Sequence, residues 1–303
     1  MENSAGKDSE TGDLVRPVFR SYRCRCATND SAAWRAGGFA GGLGGGEVSR
    51  ELMLSVVLTA YGNAALNSAP GHRTPLPAAH PALESVHSLQ FGEMTAAACH
   101  LAASRWFTSL KRRKATRLSL VELAPRETAG GTPPNILEAF VNGNPRGIVV
   151  DRPGAMELWV PLWRRARGQR EIVRYSRYRV EQQPSRLSVA TGTRTLRKAI
   201  EAAQTYAART AGFQFWAKRF EQALQQFRTR DDTDRYLPPL GYSRAARRLL
   251  LAASEAWVFG GMGSWNDFGF SDPVEQHEYE DITDRLYRGV CSGILAAANA
   301  FRL

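Results

Sequence analysis

Arg146-Gly147-Ile148-Val149-Val150-Asp151-Arg152-Pro153-Gly154-Ala155-Met156-Glu157-Leu158-Trp159-Val160-Pro161-Leu162-Trp163 is the stretch whose reading decides the fold. β-Branched and aromatic residues crowd both sides of Arg152-Pro153-Gly154, and Pro followed by Gly is a turn signal. Residues 146–151 and 156–163 therefore read as two short strands around a tight turn.

The same pattern extends in both directions. Asn142-Gly143-Asn144-Pro145 is a second turn signal, which makes 136–141 the expected partner strand of 146–151 in a hairpin. Residues 171–180 form a further expected strand beyond the basic turn 164–170. Residues 117–123 alternate too, with Leu118, Leu120 and Glu122 opposite Ser119, Val121 and Leu123. Short connections between these runs predict a mostly antiparallel meander over 117–181.

Helical periods flank the meander. From Glu47, Leu52, Val56, Thr59 and Asn63 share one face while Leu54, Val57, Leu58 and Tyr61 fill others, so this helix is expected to be buried. Pro70, Pro75, Pro77 and Pro81 interrupt regular structure before a second helix over about 93–114. Its end, Lys111-Arg112-Arg113-Lys114, complements the helix dipole. After residue 195, Leu196, Ile200, Ala203 and Ala207 make one stripe, and Phe213, Trp216, Phe220, Ala223, Leu224 and Phe227 another. Ser243 is placed to cap a third helix of this group, and a fourth covers about 278–300. The first 46 residues end in a glycine cluster and read as a flexible arm. The expected fold class is α+β: N-terminal helices and a mainly antiparallel sheet, followed by a C-terminal helical bundle. The corresponding divisions are 1–46, 47–184 and 185–303.

The chain has 303 residues and a formal net charge of +11. The excess is local: residues 111–185 hold fifteen basic and seven acidic side chains. A segment with that balance attracts polyanions, nucleic acid above all. Along the strand Arg174-Tyr175-Ser176-Arg177-Tyr178-Arg179, guanidinium and phenol groups alternate in a way that holds phosphates and stacks bases. Arg164, Arg165, Arg167, Arg174, Tyr175, Arg177 and Arg179 are accordingly the candidate nucleic-acid-binding residues.

A second candidate is the loop Gly260-Gly261-Met262-Gly263-Ser264-Trp265-Asn266-Asp267. Glycines permit close backbone approach, and Trp265, Asn266 and Asp267 offer stacking and polar contacts to a ligand. The same residues suit a helix cap whose aromatics plug a bundle. Seven acids over 267–284 crowd the start of a helix, where its dipole favours them. The pairs Asp281 with Arg285 and Asp284 with Arg288 sit four residues apart.

Complete catalytic motifs are missing from the sequence. There is no Gly-Lys-Ser/Thr after the glycine cluster, no H-E-x-x-H and no G-x-S-x-G. Ser264, His277 and Asp267 are the nearest approach to a triad. Cys24, Cys26, Cys99 and Cys291 fit neither a zinc pattern nor a disulfide framework. No cofactor, metal ion or catalytic residue is assigned. Residues 52–71 lack charges, but Asn63, Asn67, Ser68 and Pro70 make them a core helix and not a membrane span. The N-terminus has no signal layout, so a soluble, intracellular, cytoplasmic protein is expected. The functional expectation is a non-catalytic interaction or adaptor protein with a basic surface and a protein partner. The alternatives are nucleic-acid binding through 111–181 and an enzyme with its site at the 260–267 loop.

Overall fold

The computed structural model describes residues 48–69, 75–123, 133–138, 144–165, 171–180, 185–229, 236–260 and 263–302. The expected arm over 1–46, Cys24, Cys26, Arg167 and the Asn142-Gly143 turn lie outside the described residues, as does the side chain of Arg165. Leu43–Leu303 form one compact unit.

Helix α1 (Arg50–Asn67) starts at Ser49, whose Oγ accepts from the Leu52 N–H at 3.2 Å. Every residue from Leu52 to Ala64 is buried. A helix apolar on all sides belongs inside a protein, and α1 lies between two cores. Leu52, Met53, Val56, Ala60 and Ala64 pack into a helical core, while Leu54, Val57, Leu58 and Tyr61 pack into a sheet core.

The sheet has five strands: β1 (Val86–Phe91), β2 (Arg117–Glu122), β3 (Arg146–Arg152), β4 (Ala155–Arg165) and β5 (Glu171–Val180). Their spatial order is β1-β5-β4-β3-β2. The last four form the expected antiparallel meander, and β1 adds a parallel pair at β5, so the sheet is mixed. Two details differ from the sequence reading. β1 was not expected, because His87, Ser88 and Gln90 leave only Val86, Leu89 and Phe91 apolar, without a clean alternation, beside the proline-rich segment. Residues 134–137 are not strand: Pro134–Leu137 form a single helical turn, α3, with Pro134 at its first position, where a missing N–H costs nothing. The partner of β3 is instead β2, in the register Leu118↔Val150 and Leu120↔Ile148.

Helix α2 (Cys99–Arg112) covers one sheet face with Ala102, Ala103, Trp106, Phe107 and Leu110. Trp106 stacks on Phe91 at 4.2 Å and meets Trp159 edge-on at 5.4 Å. Leu89, Phe91, Ile148, Val150, Trp159, Trp163, Val173 and Tyr175 complete this core.

The outer edge of β2 is closed by side chains. Asn63 of α1 donates Nδ2–H to Leu118 O (2.9 Å) and accepts from Leu118 N (2.8 Å). Two residues along, Asn299 donates to Leu120 O (2.8 Å) and accepts from Leu120 N (2.7 Å). Each amide substitutes for the peptide unit of a missing neighbouring strand, so an edge that would otherwise bear unpaired groups is satisfied.

The C-terminal helices are α4 (Val189–Arg209), α5 (Gln214–Gln226), α6 (Arg244–Glu255) and α7 (Pro273–Ala298). Ser188, Ser243 and Asp272 cap α4, α6 and α7 through side-chain oxygens. α7 thus begins several residues before the expected start, its first turn fixed by Asp272 and Pro273. Both expected four-residue ion pairs form, Asp281–Arg285 at 3.0 Å and Asp284–Arg288 at 2.9 Å. Among the described residues no helix is long and apolar enough to cross a membrane.

Candidate nucleic-acid interface

Strand register sorts the arginines. On β5, Val173 and Tyr175 point into the helix-covered core, so Arg177 and Arg179 share their face, while Arg174 points the other way. Arg164 stands opposite Ile172, and Arg174 opposite Leu162, on the face away from the helices. Arg174 also contacts Glu93 at 3.4 Å. The expected patch is therefore divided: Arg164 and Arg174 belong to one face and one half of the sheet, Arg177 and Arg179 to the other. Tyr175 leaves the patch entirely. It is fully buried, with its hydroxyl 3.1 Å from Ser55 Oγ, and burial raises its pKa above the ordinary phenol value.

Around Arg177 and Arg179 the structure gathers further cations. The start of β2, the end of β3, the start of β4 and the end of β5 meet at one end of the sheet. There Glu157, on β4, has only 6% of its side chain exposed. Its Oε1 is approached by Arg113, from the end of α2, by Arg152 Nη2 at 3.1 Å and by Arg177 Nη1 at 3.7 Å. Arg179 is paired with Glu157 across the β4–β5 ladder. Arg152, Glu157, Arg177, Tyr178 and Arg179 line a cleft of about 460 Å³. Four guanidinium groups face one carboxylate, an excess that attracts anions.

A second group of cations surrounds Asp151, which the register turns to the face opposite Glu157. Asp151 pairs with Arg186 at 2.7 Å and stands opposite Arg117 in the β2–β3 register. Arg117 donates to the carbonyls of Asn299 (2.9 Å) and Phe301 (3.4 Å). Burial, followed by repulsion from Arg186, lowers its pKa. Arg302, next to Phe301, borders a second cleft of about 830 Å³ with Arg194, Arg197, Lys198 and Glu201. Arg197 lies 4.8 Å over the Phe227 ring.

Of the residues at this end, the sequence singles out only Arg177 and Arg179. Arg113, Arg117 and Arg152 fall within the basic segment 111–185 but carry no individual signal. Arg113 in particular belongs to a run that the α2 dipole explains equally well. Glu157 becomes visible only through the pairing of β4 with β5.

The 260–267 loop has a different role. Trp265 is fully buried and donates Nε1–H to Thr283 Oγ1 at 2.8 Å. Tyr206, Phe213, Trp216, Phe220 and Tyr279 surround its ring at 5.2–6.2 Å. Asp267 accepts from the Ser264 N–H at 3.0 Å and closes a capping box. Asn266 donates to Asn135 O at 3.1 Å, tying the loop to α3. Ser264 Oγ is 2.7 Å from Asn266 Oδ1, and exposed His277 is not among its partners. Trp265 is thus part of the bundle core, while Asn266 and exposed Asp267 hold the turn of the loop. Gly261 and Met262 lie outside the described residues.

A polar cluster that the sequence reading did not anticipate joins the sheet to α7. Arg146, 4% exposed, meets Glu138 at 2.5 Å; Tyr287 donates to the same carboxylate at 2.6 Å. Burial works against the charge on Arg146, but Cys291, Glu138 and Tyr287 outweigh it and its pKa is raised. Burial pushes the Cys291 thiol up to about 12. The cluster is enclosed and internally paired, an internal tie and not a surface site. No family model, curated protein or solved structure matches the chain.

Proposed function

We propose that the protein is a non-catalytic binding protein whose arginine-rich sheet end engages the phosphate backbone of a nucleic acid. One observation carries the reading: Arg113, Arg152, Arg177 and Arg179 converge from the end of α2, from β3 and from β5 around the single carboxylate of Glu157. Guanidinium groups bind phosphate through paired N–H donors, and a row of them follows a backbone without reading bases. A separate basic cleft, with Arg194, Arg197, Lys198 and Arg302, adds to the positive charge of the chain.

The test is the affinity of short fluorescent oligonucleotides, measured by anisotropy across a salt series. Affinity is expected to fall linearly with the logarithm of salt concentration, because cations on the protein release those condensed on the strand. Replacing Arg177 and Arg179 together by Ala flattens that slope by about 1–2 units. Replacing Arg164 and Arg174 leaves it nearly unchanged. Absence of salt-sensitive binding at low ionic strength overturns the reading.

A further inference from the structure

Glu157 is an unexpected residue at the centre of a phosphate-binding surface, since a carboxylate repels phosphate. Its two oxygens differ. Oε1 takes all three guanidinium contacts, from Arg113, Arg152 and Arg177. Oε2 is shielded from solvent and has no hydrogen-bond partner among the described residues; the Nε–H of Arg152 is in the same condition. An ionised oxygen out of water without a donor is unfavourable, and a donor arriving with a ligand relieves it. Both groups belong to residues that line the cleft together with Arg177 and Arg179.

The cleft thus offers phosphate-binding donors and one acceptor in need of a donor. Within the proposed nucleic-acid reading, on which this inference rests, the DNA backbone supplies phosphate but no hydroxyl beside it. RNA supplies a 2′-hydroxyl at every nucleotide, whatever the base. We infer that the Glu157 cleft is an RNA-selective nucleotide subsite. A phosphate lies on Arg152, Arg177 and Arg179, and the ribose 2′-hydroxyl donates to Glu157 Oε2. Glu157 also holds its three arginines in place and excludes strands that bring no donor to Oε2, which is selection by an unsatisfied group.

The experiment compares matched single strands of RNA, DNA and 2′-O-methyl RNA, the last keeping the ribose oxygen but lacking its proton. For the unaltered chain, RNA is expected to bind about tenfold more tightly than either of the others. Glu157→Gln removes the negative charge; its amide oxygen stays toward the three arginines, so a donating NH2 replaces the acceptor Oε2. DNA should then bind at least as well as before, while the preference for RNA disappears. Equal affinity for all three strands overturns the RNA inference and leaves the polyanion reading standing. So does 2′-O-methyl RNA binding as tightly as RNA, or a preference that survives Glu157→Gln. The strand comparison uses the unaltered chain, so it decides the matter even if the variant does not fold. Loss of salt-sensitive binding to every strand overturns the polyanion reading itself.

Discussion

Asn63 and Trp265 show how far a residue's role depends on what it faces. In sequence, Asn63 is a polar interruption of an apolar helix; in the structure its amide completes the β2 edge through two bonds to Leu118. Asn63→Leu keeps the volume roughly but leaves a buried N–H and C=O unpaired. The expected loss is about 1–3 kcal/mol for each group, read from denaturant midpoints; an unchanged midpoint refutes the role. Trp265 stands in a glycine-rich loop that suits a ligand site, yet its ring fills the bundle core. Trp265→Ala is expected to lower stability by about 3–5 kcal/mol, the range for emptying a large aromatic site. A variant of near-normal stability would return this loop to consideration as a binding site. Both residues illustrate why single positions read ambiguously: Asn and Trp serve structure and recognition with the same atoms.

At the scale of elements, periodicity locates what is long and amphipathic. The α5 and α6 stripes, the capping of α6 by Ser243 and the span of β5 all follow from local pattern. The sixfold run of β1 and the turn over Pro134–Leu137 are too short for a period to outweigh local turn chemistry. Helix contact distances are likewise invisible in one sequence. α4 and α7 approach closely through Gly192 beside Ala296 and Gly289 beside Ala199. A Cβ on Gly289 would sit 2.7 Å from Ala199 Cβ, which has no freedom to rotate away. Gly289→Ala therefore sets a helix-propensity gain of up to about 1 kcal/mol against overpacking of about 1–3 kcal/mol. The second effect should prevail, with a lower melting temperature. Gly293→Ala, which meets a leucine methyl at 3.0 Å, should be the milder change. If Gly289→Ala instead stabilises the protein, the α4–α7 approach is looser than described.

For the whole molecule, the two cores share α1, so the sheet region and the helical region are joined through a common wall. Those cores also hold Tyr175, Tyr279, Tyr287 and Cys291 with pKa values raised by burial. In the unfolded chain these groups ionise near 10 for tyrosine and about 8.5 for cysteine. The folded values lie higher, so stability is complete below the unfolded values and declines as pH rises past them, since only the unfolded chain readily gains the charge. Melting temperature should fall progressively above about pH 9, with tyrosinate absorbance rising together with unfolding; a flat profile through that range contradicts the burial of these groups. The amino-acid sequence by itself determined the α+β class, the strands β2 to β5 as strands though not the pairing of β2 with β3, four C-terminal helices and the location of excess charge, because these depend on local period, caps and composition. Tertiary structure alone decided that Arg177 and Arg179 join Arg113 and Arg152 around Glu157 while Tyr175 turns inward. Strand register and the packing of α2 bring together residues distant along the chain, and an alternation of period two places neighbours on opposite faces without saying which face a helix will cover.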